Sequence, residues 1–386
     1  MKVLHIVPGI ERITGGPGRI AINLCNYLNL QGCDSYLLTT RDPLNRYELL
    51  DSNKIQDKIF FVERWSKETL AYSEELYSWM SCNARKYDII HIHTLFNYPS
   101  LAASFCSYKA KVPYLIAPHG TLEDWSLSNK TWKKKIAYEL IVKKQLKLAA
   151  ALHATALPEA ENFSVKTLNR KVFLVPNGID EESLCTYSSP DIFLDQYPNL
   201  RGKKIIVFLG RIDPKKGLDL LAKAFSQVHG KFPCAHLVVV GAPTFDNVSF
   251  LGTAKSYFDL EGVGDAVTFT GMLSGNVKLS ALAAASLYVA PSYSEGFSMS
   301  VLEGMSMGLP CIITKGCNFP EAQHADAAYV VDVSEQALAN ALLNCLTNPE
   351  QAEAVGNRAQ KMINDHYTWK QVSSKLYSCY QEILSY

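Results

Sequence analysis

The sequence predicts an α/β fold of two lobes, each a parallel sheet layered with helices. Short apolar runs alternate with longer amphipathic ones almost from end to end. The short runs are dense in Val, Ile and Leu on both faces, as strands buried between helices are. One polar, strand-poor stretch over 181–202 interrupts the alternation and leaves a strand set on each side.

In chain order, the first set places strands at 2–8, 35–40, 58–63, 88–93, 113–118, 152–156 and 172–176, with helices at 18–30, 67–85 and 129–148. The second set places strands at 203–210, 236–241, 267–270, 286–291, 310–314 and 328–332, with helices at 217–229, 298–307 and 337–346. Strand–helix repetition of this kind marks a doubly wound architecture. Trp369, Val372, Leu376, Tyr380 and Leu384 recur at three- or four-residue spacing, which gives a terminal helix able to pack back across the lobe junction. The expected divisions are a first lobe over 1–185, a second over 200–365 and a closing helix over 366–386.

The 386 residues are enough for a full core in each lobe, so a small disulfide-stapled scaffold is excluded. A formal charge of +1 gives none of the basic excess of a dedicated nucleic-acid binder. The ten cysteines include no C-x-x-C pair, and several sit in apolar runs, as Cys311 does. They read as reduced thiols packed as small hydrophobes in a cytoplasmic protein. The apolar run ending at Pro8 is short for a signal peptide and suits a first strand. No run approaches the roughly 18 residues of a membrane span.

In open α/β sheets, ligands bind at the carboxyl ends of strands, and four such junctions carry chemistry. Thr14-Gly15-Gly16-Pro17-Gly18-Arg19 follows strand one; its glycines permit close backbone approach at a helix N-terminus, though their spacing is not that of the dinucleotide fingerprint. Gly210-Arg211-Ile212-Asp213-Pro214-Lys215-Lys216-Gly217 brings cations suited to a diphosphate, and also reads as a solvated basic turn. Glu295-Gly296-Phe297-Ser298 leads to Glu303, one and a half turns into the next helix. These carboxylates suit opposite ends of an elongated ligand; a glycosidase-like acid/base pair and two merely structural glutamates are the other readings. Pro118-His119-Gly120 closes the set. His91 and His93 share a strand face, but no third residue is placed to complete a metal site, so none is expected.

In this order on two lobes, the motifs resemble the glycosyltransferase family 4 (group 1) enzymes, over nearly the whole chain. The E-x7-E element at Glu295 and Glu303 is the most specific part. The resemblance implies the GT-B fold: two Rossmann-like lobes, a cleft between them, and a C-terminal helix crossing to the first lobe. It implies a retaining transferase using a nucleotide-sugar donor, best guessed as UDP-glucose or a similar UDP-hexose, with no metal or other cofactor. The acceptor it implies is a saccharide or lipid-linked saccharide in polysaccharide synthesis.

By motif position, Arg211 and Lys216 would bind the donor diphosphate, and Glu303 the ribose hydroxyls. Glu295 would contact the sugar, with the backbone of Gly296, Phe297 and Ser298 beside it. Gly15, Gly16 and Arg19 would approach the diphosphate from the first lobe, and His119 the 6-hydroxyl side of the sugar. The base would rest on backbone around Gly271, Met272 and Leu273. Ser298 departs from the glycine that many members carry.

Residues 129–148 hold seven lysines together with Trp132, Ile136, Leu140 and Ile141. A basic amphipathic helix there would rest on an anionic membrane surface, or would be an outer helix with a solvated lysine face. A nucleotide-sugar epimerase of the same fold and a non-enzymatic two-lobed sugar-binding protein are the alternative functions.

Overall fold

The computed structural model describes the chain except residues 12–15, 45–47, 51–52, 67–69, 123–137, 167–168, 170, 181–187, 244–247 and 386. Gly15, Trp132 and Ile136 fall outside the described residues.

The chain divides into two compact units, Met1–Gly178 with Trp369–Tyr386, and Ile179–Thr368. The first contains a seven-stranded sheet in the order β3-β2-β1-β4-β5-β6-β7. Its strands are β1 Lys2–Val7, β2 Asp34–Arg41, β3 Ile59–Glu63, β4 Ile89–His93, β5 Tyr114–Ala117, β6 Ala151–Ala154 and β7 Val172–Leu174. The second contains a six-stranded sheet in the order β10-β9-β8-β11-β12-β13. Its strands are β8 Lys204–Leu209, β9 Ala235–Val240, β10 Val267–Gly271, β11 Leu287–Ala290, β12 Cys311–Thr314 and β13 Tyr329–Val331. Every pairing in both sheets is parallel. Each expected strand is present with its ends within two residues, because apolar runs buried on both faces mark parallel strands sharply.

Each sheet reverses its order once, between β1 and β4 and between β8 and β11. Such a switch point opens a crevice at the strand ends, and it is where ligands bind in these sheets. Leu237, Val239, Phe225 and Phe258 anchor the second core, and Leu4, Ile92, Ile116 and Phe163 the first.

Three expectations differ. The stretch expected as a linker joins the second unit where it is described: Phe193 is fully buried, and its N–H donates to Ser280 Oγ at 2.8 Å. The second unit therefore begins at Ile179 and not near residue 200. The helix expected over 67–85 spans Glu74–Asn83, since Ser73 accepts from the Leu76 N–H at 3.1 Å and caps it there. Helices at Tyr98–Ala110, Leu157–Lys166, Phe250–Leu260, Gly275–Ala283 and Pro349–His366 had no counterpart in the sequence reading. Part of the reason is weak amphipathic contrast: Tyr98–Ala110 buries small residues around much of its circumference.

The terminal helix Trp369–Leu384 completes the first unit. Trp369, Leu376 and Tyr380 are buried, and Gln31 Nε2 donates to Ser373 Oγ at 2.7 Å. Gly178 allows this return, since a Cβ there would lie 2.8 Å from the Trp369 ring. The described cysteines are free thiols, buried except Cys82 and Cys234. Among the described residues, no helix is long and apolar enough to cross a membrane.

Candidate active site

In the second unit, the chain leaves β8 at Gly210 and Arg211. Pro214–Lys216 forms a single tight turn, capped by Asp213, whose carboxylate accepts from the Lys215 N–H at 3.1 Å. Gly217 then takes φ +70° and starts the helix Leu218–Lys231; a Cβ there would sit 2.2 Å from the Pro291 carbonyl oxygen. Only glycine lets this turn press against the end of β11. The contact places the cations of one strand end beside the acidic loop of the next.

Lys216 Nζ lies 2.5 Å from Glu295 Oε1, and Lys215 Nζ 3.9 Å from Glu295 Oε2. Ser292 Oγ donates to Glu295 Oε1 at 2.8 Å. Lys216 and Glu295 are each only 8% exposed. Burial disfavours the Glu295 charge, but the ammonium groups of Lys216 and Lys215 outweigh it and hold the carboxyl below its usual range. Burial lowers Lys215, opposed by Glu295. The loop is fixed from its other side too. The Glu295 N–H donates to Gly316 O at 2.8 Å, and Asn318 Nδ2 bonds the Glu295 carbonyl. Arg211 is exposed and in no ion pair among the described residues.

Phe297 is buried against Phe319 and Tyr367, with ring centroids 4.9 and 6.0 Å away. Gly296 and Ser298 therefore flank an anchored ring. Ser298 is the residue before the helix Met299–Ser306, and its side chain makes no cap bond; its Oγ lies 3.1 Å from Ser300 Oγ. The first N–H groups of this helix are thus not capped by Ser298. Glu303, half-buried, pairs with Lys278 Nζ at 3.0 Å. Lys278 lies on the helix that follows Gly271, Met272 and Leu273. The Gly271 carbonyl accepts from the Gly241 N–H at 2.9 Å, and Gly241 passes so close to Gly210 that a Cβ would fall 1.8 Å from the Gly210 oxygen. The ends of β8, β9 and β10 converge there.

In the first unit, Gly16 opens the helix Gly16–Leu30 and Arg19 is exposed on it. His119 follows β5 with φ +52°, a conformation uncommon for a residue with a side chain. Glu159 holds that turn. Its buried carboxylate accepts from Gly120 N at 2.8 Å, Thr155 N at 2.7 Å and Thr155 Oγ1 at 2.8 Å. Burial raises its pKa, against the pull of these bonds.

His119 also ends a run of histidines. His5 Nδ1 lies 3.0 Å from His93 Nε2, and His93 Nδ1 3.0 Å from His119 Nε2. Tyr380 OH, His91 and His153 form a second run, with contacts of 2.7 and 3.2 Å, ending 2.7 Å from the Val175 carbonyl. His5 is the third imidazole that the sequence did not place beside His91 and His93; ligand nitrogens of the three lie within 4.8 Å of one another. Every ring nitrogen of the three except His5 Nε2 is engaged in a hydrogen bond, so a metal ion here would have to break this network.

The structure thus brings Lys216, Glu295 and Lys215 together and sets Glu303 with Lys278. His119, Gly16 and Arg19 belong to the other unit. Sequence reasoning missed Lys278, Ser292, Glu159, His5, His153 and Tyr380 as partners. Ser292 alone carried a local signal, three residues before Glu295.

A model described as "Glycosyl transferases group 1" matches residues 192–362, and one described as "Glycosyltransferase Family 4" matches 14–183. The chain belongs to the group 1, family 4 glycosyltransferases. The curated relatives of this glycosyltransferase include a mannosyltransferase and a glucosaminyl-malate synthase. A phosphatidyl-myo-inositol mannosyltransferase of Mycobacterium tuberculosis is 28% identical over 235 residues, 58% of this chain and 57% of the relative. The match thus spans little more than half the length of that relative. The N-acetyl-alpha-D-glucosaminyl L-malate synthase of Bacillus anthracis is 24% identical over 96% of this chain and 94% of that protein.

Among solved structures, the glycosyltransferase resembles Anabaena HepE in complex with UDP and glucose, with TM-score 0.80 and 17% identity over 99% of this chain and all of that one. It also resembles sucrose-phosphate synthase from Thermosynechococcus elongatus, with TM-score 0.81 and 18% identity over the full length of both. These likenesses show the fold, and the glycosyltransferase has the GT-B architecture of two Rossmann-like units.

Proposed function

We propose that the protein moves a hexose, with retention and without a metal ion, from a UDP-hexose to a saccharide or lipid-linked saccharide in polysaccharide synthesis. The observation that carries this reading is the cationic cluster at the switch point of the second sheet. Lys215 and Lys216 pair with Glu295, Asp213 caps their turn, and the exposed Arg211 lies near enough to act on the Lys215 charge, so three cations stand against two carboxylates and one positive charge is left over. That surplus, with the N-terminus of Met299–Ser306, suits a diphosphate. UDP-glucose is the first donor to test, in line with the UDP and glucose named for the HepE complex; the GDP-mannose named for a mycobacterial relative makes a GDP-sugar the second.

In this reading Arg211 and Lys216 stabilise the departing nucleoside diphosphate. The acceptor hydroxyl attacks the anomeric carbon on the face that the diphosphate leaves. The bond from that carbon to the phosphate oxygen breaks, the new glycosidic bond forms, and the hydroxyl proton passes to the departing oxygen. Glu295 orients the sugar, Glu303 the ribose, the backbone at 271–273 receives the base, and His119 meets the sugar.

The described part of the basic stretch is an outer helix: Val142 and Leu146 are buried, while Lys144, Lys147, Ile141 and Leu148 are exposed. A peripheral hold on an anionic membrane through this face would bring the enzyme to a lipid-linked acceptor. Incubation with UDP-glucose and candidate acceptors tests the function. Proton NMR of the product is expected to show the donor's anomeric configuration, with turnover unchanged in EDTA. An inverted product or loss of turnover in EDTA overturns the respective claim.

A further inference from the structure

The two histidine runs lie side by side on one sheet, and one of them has a fixed direction. His153 Nε2 is 2.7 Å from the Val175 carbonyl oxygen, which only accepts, so His153 carries its proton on Nε2. A neutral His153 then accepts on Nδ1 from His91 Nε2–H, and His91 Nδ1 accepts from the Tyr380 hydroxyl. Neutral rings are what this site demands. Burial lowers the pKa of His5 and His119 to about 3 and that of His153 to about 4, and puts His91 and His93 well below their ordinary value.

Among the described residues the His5–His93–His119 run meets no carbonyl, so two directions are open to it. In one, His119 Nε2–H donates to His93 and His93 Nε2–H donates to His5, which leaves an N–H at His5 Nε2. In the other, His5 Nδ1–H donates to His93, His93 Nδ1–H donates to His119, and His5 Nε2 keeps a bare lone pair. His5 Nε2 is buried and has no partner among the described residues. Orphaned buried N–H groups are rarer than under-satisfied acceptors. At the other end His119 is half-buried, and its Nδ1 has no partner among the described residues. That end is satisfied by water in either direction, so the buried end decides.

We propose that His93 and His5 are positioning residues that fix His119 with its proton on Nδ1, so that its open side offers a hydrogen-bond donor and not a base. Glu159 completes the device by holding the Gly120 N–H, which keeps His119 in its left-handed turn. Resting on the donor-site reading of His119, the consequence is specific. The imidazole donates to a sugar oxygen, and does not remove the proton of the attacking hydroxyl.

The test is a long-range proton–nitrogen correlation spectrum of the full chain with 15N-labelled histidine at pH 7.5. His119 is assigned by the signals lost in His119→Gln. The expected pattern is a protonated Nδ1 and a bare Nε2. His93→Asn, whose amide sits near the lost Nδ1, is expected to keep it, and His93→Leu to move the proton toward Nε2. Turnover of UDP-glucose is read in parallel. His93→Leu is expected to lose about tenfold in kcat with little change in KM, the value of one oriented hydrogen bond, and His93→Asn to recover most of it. A wild-type His119 protonated on Nε2, or on both nitrogens, overturns the proposal, and this spectrum decides even where His93→Leu fails to fold. The expected spectra with unchanged kcat in His93→Leu uphold the tautomer and overturn instead the placement of His119 at the donor.

Discussion

Lys216 Nζ lies 2.5 Å from Glu295 Oε1, and the two residues come from the loops after β8 and β11, the neighbours between which the second sheet reverses its order. A buried ion pair at a switch point stabilises little on its own, because desolvation offsets much of its attraction. Its position is more telling than its strength: it sets an ammonium and a carboxylate at the strand ends where sheets of this kind bind their ligands.

Breaking the pair from one side is expected to be costly. Glu295→Gln keeps the shape and leaves the Lys216 charge buried without its counter-ion. Denaturant unfolding is expected to show a loss of about 3–5 kcal/mol. Lys216→Ala is expected to lower transfer by about 10²–10³ in kcat, as removal of a preorganised cation does. Near-normal turnover by Lys216→Ala would remove the lysine from the mechanism.

Gly217 is expected to tolerate no side chain. With φ +70° and the Pro291 oxygen 2.2 Å from an added Cβ, Gly217→Ala strains the backbone and pushes the Lys215–Lys216 turn off β11. A stability loss of at least about 1–3 kcal/mol is expected, together with weaker nucleotide binding, read by thermal shift with and without UDP. Gly230→Ala, where nothing lies within 4 Å of the added Cβ, is the control and should do neither.

Acid is expected to loosen the first unit. The buried His5 and His153 and the half-buried His119 are held neutral in the folded state, near 3, 4 and 3 respectively, while the unfolded chain titrates at 6.5. Their contribution is therefore fully present above pH 6.5, and is lost as pH falls from there toward 4 and 3, because the unfolded state takes up protons that the folded state refuses. Glu295 has the same sign in a lower window, since its depressed carboxyl loses its contribution only below the ordinary glutamate range of 4.5. Amide exchange followed from pH 7 to 4 is expected to deprotect β1, β4 and β6 before β8, β9 and β11. The reverse order would show that the histidines do not dominate.

Much of this architecture was legible in the residues. Runs such as Lys204–Leu209 and Ala235–Val240 announce buried parallel strands, and the E-x7-E element with Arg211 and Lys216 sits where such sheets place their chemistry. What could not be read was side-chain pairing across long separations. Nothing near Glu303 names Lys278, and nothing near His91 names Tyr380, which arrives from the end of the chain. Helix bounds failed where a single cap, Ser73, outweighed a longer periodic pattern.

The terminal helix is expected to be integral to the first unit. Trp369 is 1% exposed, and Trp369→Ala should cost about 3–5 kcal/mol through lost packing. Tyr380→Phe keeps the ring and removes the hydroxyl bonded to His91 at 2.7 Å, so a smaller loss of about 1 kcal/mol is expected. Equal losses from both would show that the helix packs loosely.

The most direct measurement is calorimetric titration of UDP and UDP-glucose into the wild type and Arg211→Gln. Arg211 is exposed and pairs with no described residue, so its loss is expected to leave the melting temperature unchanged. Both ligands are expected to bind the wild type, and the variant to bind them at least about tenfold more weakly, the value of a charge-assisted bond to phosphate. Equal affinity in the two proteins, or no binding of UDP and UDP-glucose to the wild type, would contradict the proposed donor site.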